Sequence, residues 1–449
     1  MAKKFFSELY LIFKYAFRWT IIILPVAVAI GSMVALFLWL LNWAIHFRFH
    51  HTWVLYLLPA AGVVIHYLYK WYGQSSERGN NLIIDEIHEP GAGVPKRMAP
   101  LILVTTVITH LFGGSAGREG TAVQIGGSIA HLFAGWFNLS EADKKTVLTA
   151  GVAAGFGAVF GTPLTGTVFA MEVIAIGSIQ YTALIPCLIA GVLGDITVSA
   201  WGIRHTPYHI AFVSPGQSVD GHHIGVDILL LLKVIIASVP FGLASYAFAK
   251  SVHLIKNAAL KYIKVNWLIP VAGGLLIIAL TLLLRKPDYL SLGVEAEYPG
   301  AVTIVSSFTQ GGAHFFSWFW KLMFTVITLA TGFKGGEVTP LFYVGATLGN
   351  TLAGILHAPV SLFAALGFIA VFAGATNTPL ACTIMGIELF GAEHTVFFAV
   401  ACFTAYLFSG QSGIYSAQKT MVPKINGPEK TGRHRQRTYA RNLFSKYKP

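Results

Sequence analysis

The chain has 449 residues, 55% hydrophobic and 11% charged, with a mean hydropathy of +0.65 and a formal charge of +12. Soluble domains carry about 25% charged residues, so this balance excludes a soluble globular protein and predicts an all-α polytopic membrane protein whose spans need about 20 apolar residues each. Cys187, Cys382 and Cys402 lie in apolar runs with neither pair nor metal spacing and read as small core residues.

Residues 1–19 alternate aromatic and basic side chains, among them Lys3, Lys4, Lys14 and Arg18, which predicts a cytoplasmic interfacial helix rather than a cleavable signal. A first membrane unit follows over 20–202, opening with the uncharged run Thr20–Trp43 and a second span at Trp53–Tyr69. The polar passage Gly73–Pro100 contains Gly79-Asn80-Asn81 ahead of an apolar run, a pattern that suits a helix N-cap. A span at Ile179–Trp201 closes the unit, and a linker over 203–224 carries His205, His209, His222 and His223. No acidic or thiol partners cluster with these histidines, so they read as an exposed loop rather than a zinc site. The second unit, 225–418, holds further candidate spans at Ile224–Phe248, Trp267–Leu284, Phe316–Gly332, Leu341–Leu356, Val360–Ala375 and Thr395–Phe408. In the basic tail, 419–449, Lys424, Lys430, Arg433, Arg435, Arg437, Arg441, Lys446 and Lys448 face one acid, Glu429. Positive charge at both ends predicts a multi-pass plasma-membrane protein with both termini in the cytoplasm. Topology and lipid contact account for the tail better than nucleic-acid binding does.

The stretch Gly113–Gln124 organises the rest. Its four glycines, Arg118 and Glu119 interrupt apolar sequence on both sides. At membrane depth such a break must be buried or line a wet cavity, because its amides cannot face lipid. Helix continuation through Gly120 and Thr121 aims free N–H groups and the positive helix end back at the break, which makes an anion site. Glu119 brings a removable negative charge to it, and a carboxylate in such a place is expensive.

The second unit echoes the first. Phe372–Glu388 matches Phe156–Glu172, with Pro163 to Pro379 and Glu172 to Glu388 both 216 positions apart. Gly117, Glu119 and Gly126 fall on Gly336, Val338 and Gly345 at an offset of 219. Repeated halves with helices interrupted at corresponding places point to a transporter whose site lies between the repeats. The pattern does not say whether the repeat is inverted or parallel.

Gly117-Arg-Glu-Gly120, Gly335-Gly-Glu-Val-Thr-Pro340, the two Pro-Leu passages ending in Glu172 and Glu388, and Tyr415 in Gly413-Ile-Tyr-Ser416 resemble the CLC family of anion channels and anion–proton antiporters. The resemblance runs from about residue 20 to 420. It implies two inverted repeats of broken, tilted helices and a homodimer with one anion pathway per subunit. Where chloride-handling members have Gly-Ser-Gly-Ile-Pro, this chain has Gly79-Asn-Asn-Leu-Ile83; Thr121 replaces a proline; Glu337, Val338 and Thr339 replace a largely apolar motif; and Val173 replaces an inner glutamate. That combination resembles the fluoride–proton antiporter branch, which exports fluoride from the cytoplasm in exchange for protons. A chloride- or nitrate-selective antiporter or channel is the alternative.

On this reading Glu119 gates the anion position and carries protons. Glu337 donates to fluoride when protonated and relays the proton, or else caps its helix. Thr339 offers a hydroxyl or an ordinary cap, and Asn80 either binds the anion directly or caps a helix, with Asn81 beside it. Tyr415 matches the family's pore tyrosine and can donate to the anion or to Glu119, while Val338 leaves room opposite the gate. Glu172 and Glu388, at equivalent positions, suit packing or capping. Lys334 adds positive potential near the pathway or lies in the loop before it. The chain lacks the phosphate-binding loop and zinc-protease motifs, and Glu119, Glu172 and Glu337 have no evident histidine or metal partner in sequence, so no enzymatic activity, cofactor or metal is expected.

Overall fold

The computed structural model describes residues 2–213, 227–411 and 413–425. His222, His223 and the tail cations from Lys430 onward lie outside the described residues. The interfacial helix and the first span, expected as two elements, form one helix, α1 (Ala2–His50, 49 residues), which runs through Pro25. Thr20, which could cap a helix there, instead donates its hydroxyl to the Ala16 carbonyl at 2.9 Å within the continuous helix, and in lipid a backbone break would leave amides without partners. At 1.5 Å per residue α1 is about 73 Å long, more than twice the hydrocarbon layer of about 30 Å. It therefore extends beyond that layer. The expected span at Trp53–Tyr69 is interrupted: a tight turn over Thr52–Leu57 leads into α2 (Leu58–Leu68), followed by irregular helical turns to Arg78.

The rest of the first repeat comprises α3 (Asn80–His88), α4 (Met98–Leu111), α5 (Glu119–Trp136), α6 (Glu141–Phe160), α7 (Pro163–Glu172) and α8 (Leu184–Ala200). The second comprises α9 (Ile228–Tyr262), α10 (Leu268–Leu284), α11 (Ser317–Ala330), α12 (Val338–Leu356), α13 (Val360–Thr376), α14 (Pro379–Phe390) and α15 (Thr395–Phe408). Starts coincide across the repeat: α4 and α5 begin 219 positions before α11 and α12, and α7 begins 216 before α14. The helices α7 and α14 both start with proline, whose missing N–H costs nothing at a first helical position.

Of the nine expected spans, fewer are long single helices. Among the described residues, four helical segments are long and apolar enough to cross a membrane: Lys4–His50, Thr52–Arg78, Tyr181–Ala200 and Ile228–Tyr262. The others are shorter apolar helices such as α11, 14 residues, and α15, 14 residues. Broken helices are stable here because their free ends are sheltered by protein.

The repeats are inverted, and contacts between equivalent helix ends show it. Glu172, the last residue of α7, accepts hydrogen bonds from the Leu380 and Ala381 N–H groups at the start of α14, at 3.1 and 2.8 Å. Glu388 near the end of α14 accepts from the Leu164 and Thr165 N–H groups at the start of α7, at 2.9 and 2.7 Å, and from the Thr165 hydroxyl at 2.6 Å. Each helix closes the N-terminus of its own equivalent, so the two run antiparallel. A twofold axis that reverses helix direction crosses the helices and lies in the membrane plane, not along its normal. Phe156 and its equivalent Phe372 stack at 6.1 Å between centroids. The capping role expected of Glu172 and Glu388 is what the structure contains.

Close helix crossings repeat too. A Cβ on Gly126 would come within 2.1 Å of the Gly151 carbonyl, and one on Gly345 within 2.0 Å of the Gly367 carbonyl. These glycines let α5 cross α6, and α12 cross α13, at backbone contact. The cysteines are buried and free.

Candidate functional site

The two glycine-rich breaks meet. Gly117 N–H donates to the Gly336 carbonyl at 2.6 Å, and Gly336 N–H returns a bond to the Gly117 carbonyl at 2.8 Å. One layer out, Ser115 N–H donates to Thr328 Oγ1 at 3.1 Å, while Lys334 N–H donates to Thr109 Oγ1 at 3.3 Å. Positions 115 and 334, like 109 and 328, are repeat equivalents, so both pairs obey the same axis. The breaks thereby satisfy part of their backbone through each other, as burial at membrane depth requires.

Beyond the junction, α5 and α12 begin. In α5 the first N–H to bond back is that of Ala122, to the Arg118 carbonyl. The Glu119, Gly120 and Thr121 N–H groups thus have no intrahelical acceptor. In α12 the first is that of Leu341, to the Glu337 carbonyl. The Glu119 carboxylate, fully buried, sits on this second helix start. Its Oε2 accepts from Thr339 N–H at 3.0 Å and Arg118 N–H at 3.2 Å, and its Oε1 accepts from the Thr339 hydroxyl at 2.5 Å. Arg118 Nε lies 3.5 Å from Oε1. A carboxylate belonging to one repeat therefore occupies the anion-binding end of a helix in the other.

On the other side of the junction lies a second polar focus. A Cβ on Gly120 would meet Gly336 Cα at 3.0 Å, Asn80 Nδ2 at 3.1 Å and Glu337 Oε2 at 3.4 Å, so the bare glycine brings its backbone close to both polar side chains. Asn80 Oδ1 and Glu337 Oε2 are buried without a hydrogen-bond partner among the described residues. Glu337 occupies the N-cap position of α12, yet its side chain makes no capping bond. The capping alternative for this residue is overturned, because the carboxyl turns towards α5 instead. The cap expected at Asn80 and Asn81 is also corrected. Gly79, at a positive φ of 57° with ψ −135°, precedes α3, and both asparagines are already helical without a side-chain cap. A residue with a Cβ adopts that conformation poorly, so the glycine turns the chain.

The remaining candidates divide. Thr121 turns its hydroxyl away to Thr106, at 2.8 Å, leaving only its backbone N–H near the break. Val338 is buried at the first position of α12. Asn81 accepts from Ala417 N–H at 2.9 Å, which ties α3 to the chain after α15. Tyr415 is buried, and its hydroxyl makes no hydrogen bond among the described residues, including none to Glu119. Sequence reasoning passed over Gln418. Its amide donates to the carbonyls of Val173 at 2.8 Å and Thr376 at 2.7 Å, and accepts from Asn377 Nδ2 at 3.0 Å. That clamp holds the Tyr415 segment against both repeats, and no residue pattern could have flagged it. Among the described residues no group of three His, Cys, Asp or Glu side chains could hold a metal.

Two cavities approach the junction. One, about 520 Å³, is lined by Asn80, Asn81, Lys334, Glu337 and Tyr415. The other, about 60 Å³, is lined by Arg118, Arg48 and Glu297, the latter two forming a 2.9 Å ion pair. The larger opens beside the chain after α15, and the smaller beside the C-terminal end of α1. The far half of α1 returns to the first face, where Arg18 pairs with Asp143 at 2.5 Å and Lys419 with Glu89 at 2.6 Å.

Two inverted repeats of broken helices that converge on a buried carboxylate, between two cavities, define a polytopic membrane protein with its site at the repeat junction. Residues 61–410 match the model of the voltage gated chloride channel family. The chain belongs to that family, the CLC proteins. It is 45% identical over 414 residues to a chloride/fluoride channel protein of Pseudomonas syringae pv. tomato, covering 92% of this chain and 89% of that one. It superposes on the crystal structure of a CLC-type fluoride/proton antiporter with a TM-score of 0.82 and 35% identity, covering 90% and 98% of the two chains. A slow cyanobacterial Cl⁻/H⁺ antiporter shares the fold at a TM-score of 0.74 and 20% identity, over 89% and 96% of the chains.

Proposed function

We propose that the protein exports fluoride from the cytoplasm in exchange for external protons. The observation that carries this reading is the Glu119 carboxylate docked on the start of α12, with a separate seat at Gly120 framed by Asn80 and Glu337. Ionised, Glu119 holds the helix end that an anion needs. Protonated, it loses its charge-assisted bonds, releases the end to the anion and carries a proton as it leaves. Glu337, with an unpartnered oxygen facing the Gly120 seat, donates a hydrogen bond to the anion when protonated and passes that proton on. A neutral carboxyl and an amide give two strong donors to a small anion that sheds water reluctantly. The resemblance in sequence and fold to proteins described as a chloride/fluoride channel protein and a fluoride/proton antiporter supports fluoride as the substrate.

The face that collects Arg18, Lys144, Lys145, Lys419 and the larger cavity is the cytoplasmic one on this reading, since basic segments stay inside. The protein then sits in the plasma membrane with both ends in the cytoplasm. It assembles as a homodimer with one pathway per subunit, acting without cofactor, metal or nucleic acid. Proteoliposomes loaded with fluoride should release it and take up protons in step, while chloride- or nitrate-loaded vesicles release little. Equal rates for fluoride and chloride would replace the reading with a chloride- or nitrate-selective exchanger.

A further inference from the structure

Lys334 and Ser115 are equivalents in the repeat, and their backbones do the same work, each donating its N–H to a threonine hydroxyl of the other half. Their side chains differ. Ser115 is satisfied within the protein by Thr325 Oγ1 at 2.9 Å. The Lys334 ammonium makes no hydrogen bond or ion pair among the described residues; it lies 4.2 Å from the centroid of the Tyr69 ring. The scaffold therefore needs the backbone at this position and not the charge. A cation at membrane depth without an acidic partner is costly, and such residues face cavities and serve ion pathways.

The cavity is the one of about 520 Å³ that reaches Asn80, Glu337 and Tyr415. Its other charged and titratable groups are Glu77, Arg78 and Asp85 from the first repeat, and His253 and Lys256 from α9. Arg78 and Asp85 pair with each other. That leaves Lys256 and Lys334 as cations, against Glu77 and Glu337. Of the two cations, Lys334 stands three residues before Glu337, on the irregular segment that leads to the start of α12. An anion approaching through this cavity meets Glu337 at its end, a carboxyl that repels it whenever ionised, and Lys334 offsets that charge on the way in.

We propose that Lys334 is an anion-recruiting site in the larger vestibule, taking a small hydrated inorganic anion one step before the Gly120 seat. This rests on the proposed transport of fluoride, and it adds a residue that sets how readily the anion enters rather than how the gate moves. Tyr69 positions the ammonium through its ring face, leaving the three N–H donors to the anion and its water.

The test is fluoride flux from the vestibule side in proteoliposomes, with proton uptake recorded alongside. Lys334→Met should raise the half-saturating fluoride concentration about tenfold, as loss of a focusing charge does, and weaken its dependence on ionic strength. Turnover at saturating fluoride and protons moved per fluoride should stay near wild type, and Lys334→Arg should restore the low value. Should Lys334→Met fold poorly, Lys334→Cys can be labelled with an aminoethyl thiosulfonate, which restores an ammonium; recovery of the affinity on labelling supports the charge over packing. A half-saturation and salt dependence unchanged in Lys334→Met, or no recovery in the labelled cysteine variant, overturns the inference. Wild-type protein that moves no fluoride would instead overturn the transport reading.

Discussion

Replacing Thr339 by valine keeps the shape of the α12 start and removes one atom of consequence, the hydroxyl that donates to Glu119 Oε1 at 2.5 Å. The backbone bond from Thr339 N–H at 3.0 Å and the Arg118 N–H bond at 3.2 Å survive. A hydrogen bond to a charged acceptor is worth about 1.5–3 kcal/mol. At about 1.4 kcal/mol per tenfold, the docked carboxylate should therefore become roughly 10- to 150-fold less favoured relative to its released position. Released without a proton, Glu119 no longer bars the helix end, so fluoride passes without proton exchange. The assay is fluoride efflux from vesicles with proton uptake recorded simultaneously, and the expected result is an uncoupled component at least about tenfold above wild type. If Thr339→Val exchanges protons and fluoride in the wild-type ratio with no added leak, the hydroxyl does not hold the gate.

Glu119→Gln should abolish proton coupling, because an amide cannot exchange the proton and does not compete as an anion for the α12 start; coupled flux at the wild-type ratio would remove Glu119 from the mechanism. Glu337→Ala should lose both proton coupling and discrimination of fluoride from chloride, and retention of both would end its proposed role. Glu388→Gln weakens the three bonds that close α7 and should lower the melting temperature in detergent while the surviving protein keeps its proton-to-fluoride ratio; a changed ratio would show that the residue does more than cap. Gly367→Ala would place a Cβ 2.0 Å from the Gly345 carbonyl. The forced separation of α12 and α13 should cost about 1–3 kcal/mol or more, read as a lower yield of folded protein and a lower melting temperature, whereas an unchanged melting temperature would mean that the crossing is looser than drawn.

Much of this molecule was legible along the chain because its determinants are local. The membrane class follows from composition. The starts of α5, α7, α12 and α14 follow from glycine breaks and prolines whose effects on the backbone need no distant partner. The repeat follows from the recurrence of Gly117, Pro163 and Glu172 at Gly336, Pro379 and Glu388. Even the value of Glu119 as a charge beside free amides could be read locally. Other expectations failed where distant contacts decide. Nothing local revealed that Glu337 turns from its own helix to Gly120, that the Asn81 carbonyl accepts from Ala417, or that Gln418 clamps the tyrosine segment. The hand of the repeat was beyond the sequence as well, since a recurrence of residues is the same whichever way the copy points. It took helix ends that close each other, Glu172 on α14 and Glu388 on α7, to make the copies antiparallel. That same reversal brings the start of α12 under a carboxylate carried by α5, and only in three dimensions do those two residues meet.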